Sequence, residues 1–200
     1  MYIPKHFEIT DEKEIAAFIN ENAFGQLVSK SDGRITSTHI PFLLSDDKTK
    51  LLCHISKQNP QAKDIEGQEV LVTLQGEHDY ISPSWYVGKG VPTWNYQAVH
   101  IYGQCKLFND AVALKGVVES LTSKYESGFS KPWLPEYNSS MLKAIIGIEI
   151  SISEIECQYK LSQNRSFADK ESVIAQLKSS GSIKLAEEIE RIELDKKEMI

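Results

Sequence analysis

The sequence predicts a mainly β fold, an antiparallel barrel with helices set around it. Three observations lead there. β-rich runs recur along most of the chain, helical patterns fall between them at uneven intervals, and no regular βαβ alternation is present to build a doubly wound sheet.

The elements follow in order. Residues 11–22 read as a helix, with Asp11 and Glu14 at capping-box spacing and Ile15, Phe18 and Ile19 on one apolar face. A strand is predicted over 24–30, a turn at Ser31-Asp32-Gly33, and a second strand near 35–44. Residues 45–48 turn the chain into a third strand over 51–56, after which Asn59-Pro60 suits the start of a short helix. Residues 69–75 are strand-like, and 79–82 read as a separate strand. A loop at 87–92 precedes a long strand over 93–108. On it Trp94, Tyr96, Ala98, His100 and Tyr102 share one face, and Asn95, Gln97, Val99 and Ile101 share the other. Asn109 is placed to cap a helix carrying Leu114, Val117, Val118 and Leu121. A Pro-containing loop at 131–135 leads to a half-buried strand over 146–152. Two helices, 169–179 and 182–194, break at Gly181. The expected organisation is one domain over 1–165 and a helical extension over 166–200, packed on the barrel or on a dimer partner.

Two hundred residues with 41% hydrophobic content can bury a real core. The net charge of −6 argues against a broad electrostatic footprint for DNA, because duplex binding normally recruits a basic face. Cys53, Cys105 and Cys157 show neither CxxC nor Cys/His metal spacing, and their odd number fits a reducing compartment. With no basic leader and no apolar run of membrane length, a soluble cytoplasmic protein is expected.

Residues 81–103 are the most informative stretch. They hold two of the three Trp and several Tyr, interleaved with amide, hydroxyl and imidazole groups. That mixture suits a pocket wall for a flat molecule with polar edges. The segment Leu51-Leu52-Cys53-His54-Ile55-Ser56-Lys57-Gln58-Asn59-Pro60 carries a strand into Ser-Lys and then a helix start. A hydroxyl and an ammonium beside free helix N–H groups make an anion cradle, with phosphate as the natural occupant. The plainer alternative is that Ser56 and Asn59 cap a helix and Lys57 is solvated. His39, His54 and His100 lie on strands without a supporting carboxylate pattern, so no metal site is predicted. The run Lys160-Leu161-Ser162-Gln163-Asn164-Arg165 reads as either a turn or a ligand rim. No GxSxG elbow or phosphate-loop motif occurs, and Cys53-His54 point to opposite faces of their strand.

Six motifs in order carry a family resemblance: Met1-Tyr2-Ile3-Pro4-Lys5-His6-Phe7, His39-Ile40-Pro41-Phe42-Leu43-Leu44, His54 to Gln61, Ile81-Ser82-Pro83-Ser84-Trp85-Tyr86, Val91-Pro92-Thr93-Trp94-Asn95-Tyr96 through His100 and Gly103, and Lys160 to Arg165. Together they resemble the PaiB-like family of FMN-binding negative transcriptional regulators, over residues 1 to roughly 178. Where that family more often carries Ala-Arg, this chain has Ser56-Lys57, which keeps the cation but loses the two-pronged grip of Arg on phosphate. The resemblance implies an FMN-binding split β-barrel, similar to pyridoxamine-phosphate oxidase-like proteins, paired as a homodimer. It implies the FMN phosphate near His54, Ser56, Lys57 and Asn59. The isoalloxazine is then expected near Thr93, Trp94 and Asn95, bordered by Lys160, Gln163 and Asn164, the latter group from either subunit. The implied function is that of a flavin-binding regulator, acting on DNA directly or through a transcription partner. An FMN-dependent oxidoreductase of unknown substrate is the alternative.

Overall fold

The computed structural model describes residues 1–137 and 139–198, with side chains described through Ile192 except at Ser139. Among the described residues a seven-stranded sheet runs in the order β2-β1-β5-β6-β7-β4-β3. Its strands are β1 (Phe24–Ser31), β2 (Arg34–Pro41), β3 (Leu43–Leu44), β4 (Lys50–Ser56), β5 (Glu69–Ile81), β6 (Thr93–Phe108) and β7 (Ile145–Lys160). The helices are α1 (Glu12–Glu21), α2 (Gln61–Asp64), α3 (Ala111–Glu126), α4 (Ser139–Lys143), α5 (Phe167–Ser180) and α6 (Ile183–Glu198). Pairings of β1 with β2 and β5, and of β4 with β3 and β7, are antiparallel. No helix among the described residues is long and apolar enough to cross a membrane.

The chain divides into two compact units. The first comprises residues 12–74 and 100–155. In it β1 runs opposite β2 from Phe24↔Pro41 to Ser31↔Arg34. Alternation along β1 turns Leu27, Ser29 and Ser31 inward, so two hydroxyls are buried and need partners. Gln61 and Asp64 of α2 supply them. Across the β4–β7 ladder, Leu51, Cys53 and Ile55 face Ile150, Ile148 and Ile146, which explains the apolar alternation of both segments. Cys53 and Cys105 are buried, free thiols of this unit; burial pushes Cys53 well above the ordinary thiol range and Cys105 up to about 12.

The second unit comprises residues 1–11, 75–99 and 156–200. Here α5 and α6 form a helical hairpin that buries Val173 and Leu177 with Leu185, Ala186 and Ile189. Ser166 caps α5 by accepting from the Asp169 N–H at 3.2 Å. The chain closes α5 at Gly181, with φ of 96°. Gln97 of β6 donates to Glu188 of α6 at 2.9 Å, and Arg191 holds the same carboxylate at 2.9 Å.

Several boundaries differ from the sequence expectation, each for a non-local reason. The strand expected over 35–44 splits because Phe42 turns inward, fully buried, and donates its N–H to the Ala23 carbonyl at 2.9 Å. The strands expected at 69–75 and 79–82 are one. Gly76, Glu77 and His78 carry no apolar alternation, yet β5 continues through them from Glu69 to Ile81. Asp110, one residue past Asn109, caps α3, accepting from Val112 and Ala113 at 3.1 and 2.8 Å. β7 runs eight residues beyond the predicted end, to Lys160. Its polar continuation is held by the N-terminal segment, where Ile9 donates to the Cys157 carbonyl at 3.1 Å.

Candidate functional site

The residues singled out from the sequence fall into two groups, one in each unit.

In the first unit, the end of β4 delivers His54, Ser56 and Lys57, followed by Asn59 before α2. Much of this segment satisfies itself. The Ser56 hydroxyl accepts from the Gln58 N–H at 3.1 Å, and the Ser56 carbonyl accepts from Asn59 at 2.9 Å. Asn59 accepts from the Gln61 N–H at 3.0 Å and donates to the Thr38 hydroxyl at 2.9 Å. Its side chain therefore caps α2 and ties it to β2, the plainer of its two sequence readings. Beneath it lies Gln61, with no exposed surface. Its amide donates to Ser29 Oγ at 2.7 Å and to the Leu27 and Thr36 carbonyls at 3.2 and 3.3 Å, while its carbonyl accepts from Thr38. The backbone N–H of Lys57 is bound to the Ala144 carbonyl at 2.9 Å. What this turn leaves outward is the exposed Lys57 ammonium, without an ion-pair partner among the described residues. Behind it, His54 Nδ1 is buried with no hydrogen-bond partner, and burial lowers the ring's pKa, favouring the neutral form.

In the second unit, Thr93, Asn95, Lys160, Ser162, Asn164 and Arg165 line a cleft of about 170 Å³, together with Phe7, Tyr86 and Val91. Lys160 donates to Thr93 Oγ1 at 2.5 Å, and Asn95, 1% exposed, donates to Ser162 Oγ at 2.9 Å. Desolvation, with the Arg165 charge second, lowers the Lys160 pKa below the ordinary lysine value. The Arg165 guanidinium lies 4.1 Å from the Tyr86 ring centroid. On that ring a Cβ at Gly90 would come within 2.1 Å, so only glycine lets the 87–91 loop pass so close. The loop is anchored by Asp169, which accepts from the Val87 and Gly88 N–H groups at 2.9 and 3.1 Å. These backbone donors, the Gly88 one first, hold the Asp169 carboxyl below its ordinary pKa. The Tyr86 hydroxyl is buried without a partner, an unmet donor and acceptor in the cleft wall.

The strand pleat separates Trp94 from both of its neighbours in sequence. Thr93 and Asn95 face the cleft, whereas Trp94 lies on the other face, 53% exposed, with its ring edge-on to Tyr80 at 6.1 Å. Gln163 folds back on its own turn, accepting from Leu161 at 2.6 Å and donating to the Tyr159 carbonyl at 2.5 Å. Ser162, with φ of 62°, gives that turn its reversal. Tyr86, Ser162, Arg165, Asp169 and Gln61 were not assigned roles from sequence. Gln61, Tyr86, Ser162 and Arg165 stood within noted motifs, but nothing in the pattern distinguished their contacts.

Two cationic groups, the buried Asn95 amide, the exposed Asn164 amide and an unmet hydroxyl form a donor-rich wall, which fits an anionic or carbonyl-edged ring system. Flavin phosphates and imide edges present such acceptors.

Comparison with known proteins narrows this further. The sequence matches the family described as "Putative FMN-binding domain" over residues 1–154. It is 42% identical over 188 residues to the Protease synthase and sporulation protein PAI 2 of Bacillus subtilis, an alignment covering 90% of each chain. An uncharacterized protein of Emericella nidulans is 32% identical over 193 residues, covering 74% of this chain and 77% of its own. Among solved structures, the flavocytochrome Anf3 from Azotobacter vinelandii superposes with a TM-score of 0.65 at 15% identity, covering 79% of this chain and 72% of that one. A FAD and heme binding protein from Mycobacterium smegmatis gives 0.63 at 15% identity, covering 84% and 79%. At such identities the likeness is one of fold: a mostly antiparallel sheet with peripheral helices, of the split-barrel class. The chain belongs to this FMN-binding family, is a PaiB-like flavoprotein, and has FMN as its cofactor.

Proposed function

We propose that the protein is a flavin-dependent regulator in which each FMN is shared by two copies of the chain. The cleft volume carries this reading. About 170 Å³ is below the roughly 300–1,000 Å³ of pockets that enclose drug-sized ligands, so this wall serves one end of the cofactor. The Lys57 turn of one subunit would hold the phosphate. From the partner copy, Thr93, Asn95, Lys160, Asn164 and Arg165 would border the ring system, with the Tyr86 hydroxyl available to its polar edge. Trp94 and Gln163, committed elsewhere, support the surface without touching the ligand.

FMN supplies one- and two-electron chemistry when bound. The chain supplies a fixed cation for the phosphate, a donor wall at the ring, and a loop held shut by Asp169. The name of the Bacillus subtilis relative ties that protein to protease synthesis and sporulation, which supports a regulatory role here. The net charge of −6 favours action through a protein partner over direct duplex contact, in the cytoplasm.

A second reading has one observation in its favour. The buried, unpartnered Nδ1 of His54 is the kind of group that handles a proton in a flavin oxidoreductase. Anaerobic titration with reduced nicotinamide nucleotides separates the two: turnover with a second electron acceptor establishes the enzyme, and an inert flavin removes it. For the regulatory reading, FMN binding should be followed with sedimentation velocity. Dimers that hold one FMN per chain are expected; a monomer that holds FMN at full affinity rejects the shared site.

A further inference from the structure

A different cavity lies wholly within the first unit, where α3 crosses β3, β4, β6 and β7. It measures about 490 Å³, inside the range of small-molecule pockets. We infer that this groove is a second ligand site, for an apolar monoanion such as an aromatic carboxylate.

The walls are apolar: Leu43 and Leu52 from the β3–β4 pair, Phe108 from β6 and Val117 from α3. Phe108 packs against β7 because residue 147 is glycine; a Cβ there would stand 2.2 Å from the tip of the ring. Two charged groups reach the rim, and they are not equivalent. Glu149 is already paired with Lys50 at 3.0 Å. Lys106 has no ion-pair partner among the described residues, so its ammonium is the uncommitted charge on the rim of an apolar floor. An apolar body with a single anionic end complements both features.

Gly116 is an independent sign that the space is kept open. It sits in the middle of α3, in ordinary helical backbone with no positive φ, so its conformation does not demand glycine. Packing does not demand it either, since a Cβ at this position would meet nothing within 4 Å. Glycine in a helix interior weakens the helix relative to alanine. The one structural consequence of glycine here is an unobstructed groove wall.

The test uses the intact protein saturated with FMN, so that the flavin site is closed to aromatic probes. 2-Naphthoate and its neutral analogue 2-naphthylmethanol are titrated by calorimetry into wild type, Gly116→Ala, Gly116→Leu and Lys106→Met. Wild type should bind naphthoate at least about fivefold tighter than the alcohol, the scale of a charge-assisted contact. Lys106→Met should erase that preference while still binding the alcohol. Gly116→Leu should lose about tenfold or more for both probes by filling the groove. Gly116→Ala should retain naphthoate and raise the melting temperature, which keeps the test valid if the leucine variant folds poorly. Equal binding by all four proteins, or no binding to wild type at millimolar probe, overturns the assignment. So does a Gly116→Leu variant that leaves naphthoate unaffected but alters the sedimentation coefficient, because the groove would then be an interface between copies.

Discussion

The Lys57 turn and the Tyr86–Arg165 cleft contain similar polar residues, and use them in opposite ways. In the turn, Ser56, Asn59 and Gln61 spend nearly all their hydrogen-bonding capacity on the protein itself, and Lys57 projects from a scaffold that is complete without a ligand. In the cleft, Lys160, Asn95 and Arg165 are held by single contacts, and the Tyr86 hydroxyl is unsatisfied. One region presents a charge; the other awaits a partner. Buried polar groups should therefore act mainly on stability in the turn and mainly on affinity in the cleft.

The largest expected effect comes from Gln61→Ala. It strips hydrogen bonds from Ser29, Thr38 and two carbonyls and leaves a cavity, so a loss of about 2–4 kcal/mol is expected. Urea unfolding of the FMN-free protein measures it; a loss below about 1 kcal/mol would erase the contrast between the regions. Next come Lys57→Met and Lys160→Met, each expected to weaken FMN by about tenfold or more with unfolding midpoints nearly unchanged. The Lys160→Met comparison carries a further test in pH. Because the Lys160 pKa is lowered, its ammonium is neutralised as pH rises through a value below the ordinary lysine range. The affinity gap between wild type and Lys160→Met should close there, and a gap constant to pH 11 would exclude that charge from binding.

Asp169→Ala addresses the loop anchor. The folded-state pKa of Asp169 is depressed, so its contribution is present above the unfolded value and lost as pH falls through the folded one. Wild type should lose thermal stability across that acid window more steeply than the variant; parallel melting curves from pH 7 to 3 would contradict the anchor. The smallest effect belongs to Trp94→Ala, on the face away from the cleft, with FMN affinity expected to change less than about twofold. A larger drop would move the ring site to the opposite face of β6.

Much of this fold was legible because its signals are local. β-rich runs bounded by turn residues marked β1, β4 and β6, and Gly181 marked the break between α5 and α6. Features that needed distant partners were not. β7 looks finished at Ile152 until the N-terminal segment pairs with its polar half, and Phe42 looks like part of a strand until Ala23 claims its N–H. The same division holds at the site. Lys57 and Lys160 were conspicuous as charges beside turns, whereas Gln61 and Asp169 resemble ordinary surface residues until the backbone groups they hold are brought to them from other elements.

The shared flavin is tested most directly by mixing. Lys57→Met and Lys160→Met chains are unfolded together, refolded with FMN, and titrated for tight sites. If each site draws its phosphate grip from one chain and its ring wall from the other, random pairing yields mixed dimers with one intact site. Tight binding should then return to about a quarter of the wild-type capacity. A mixture that binds no better than either variant alone would contradict a site built from two chains.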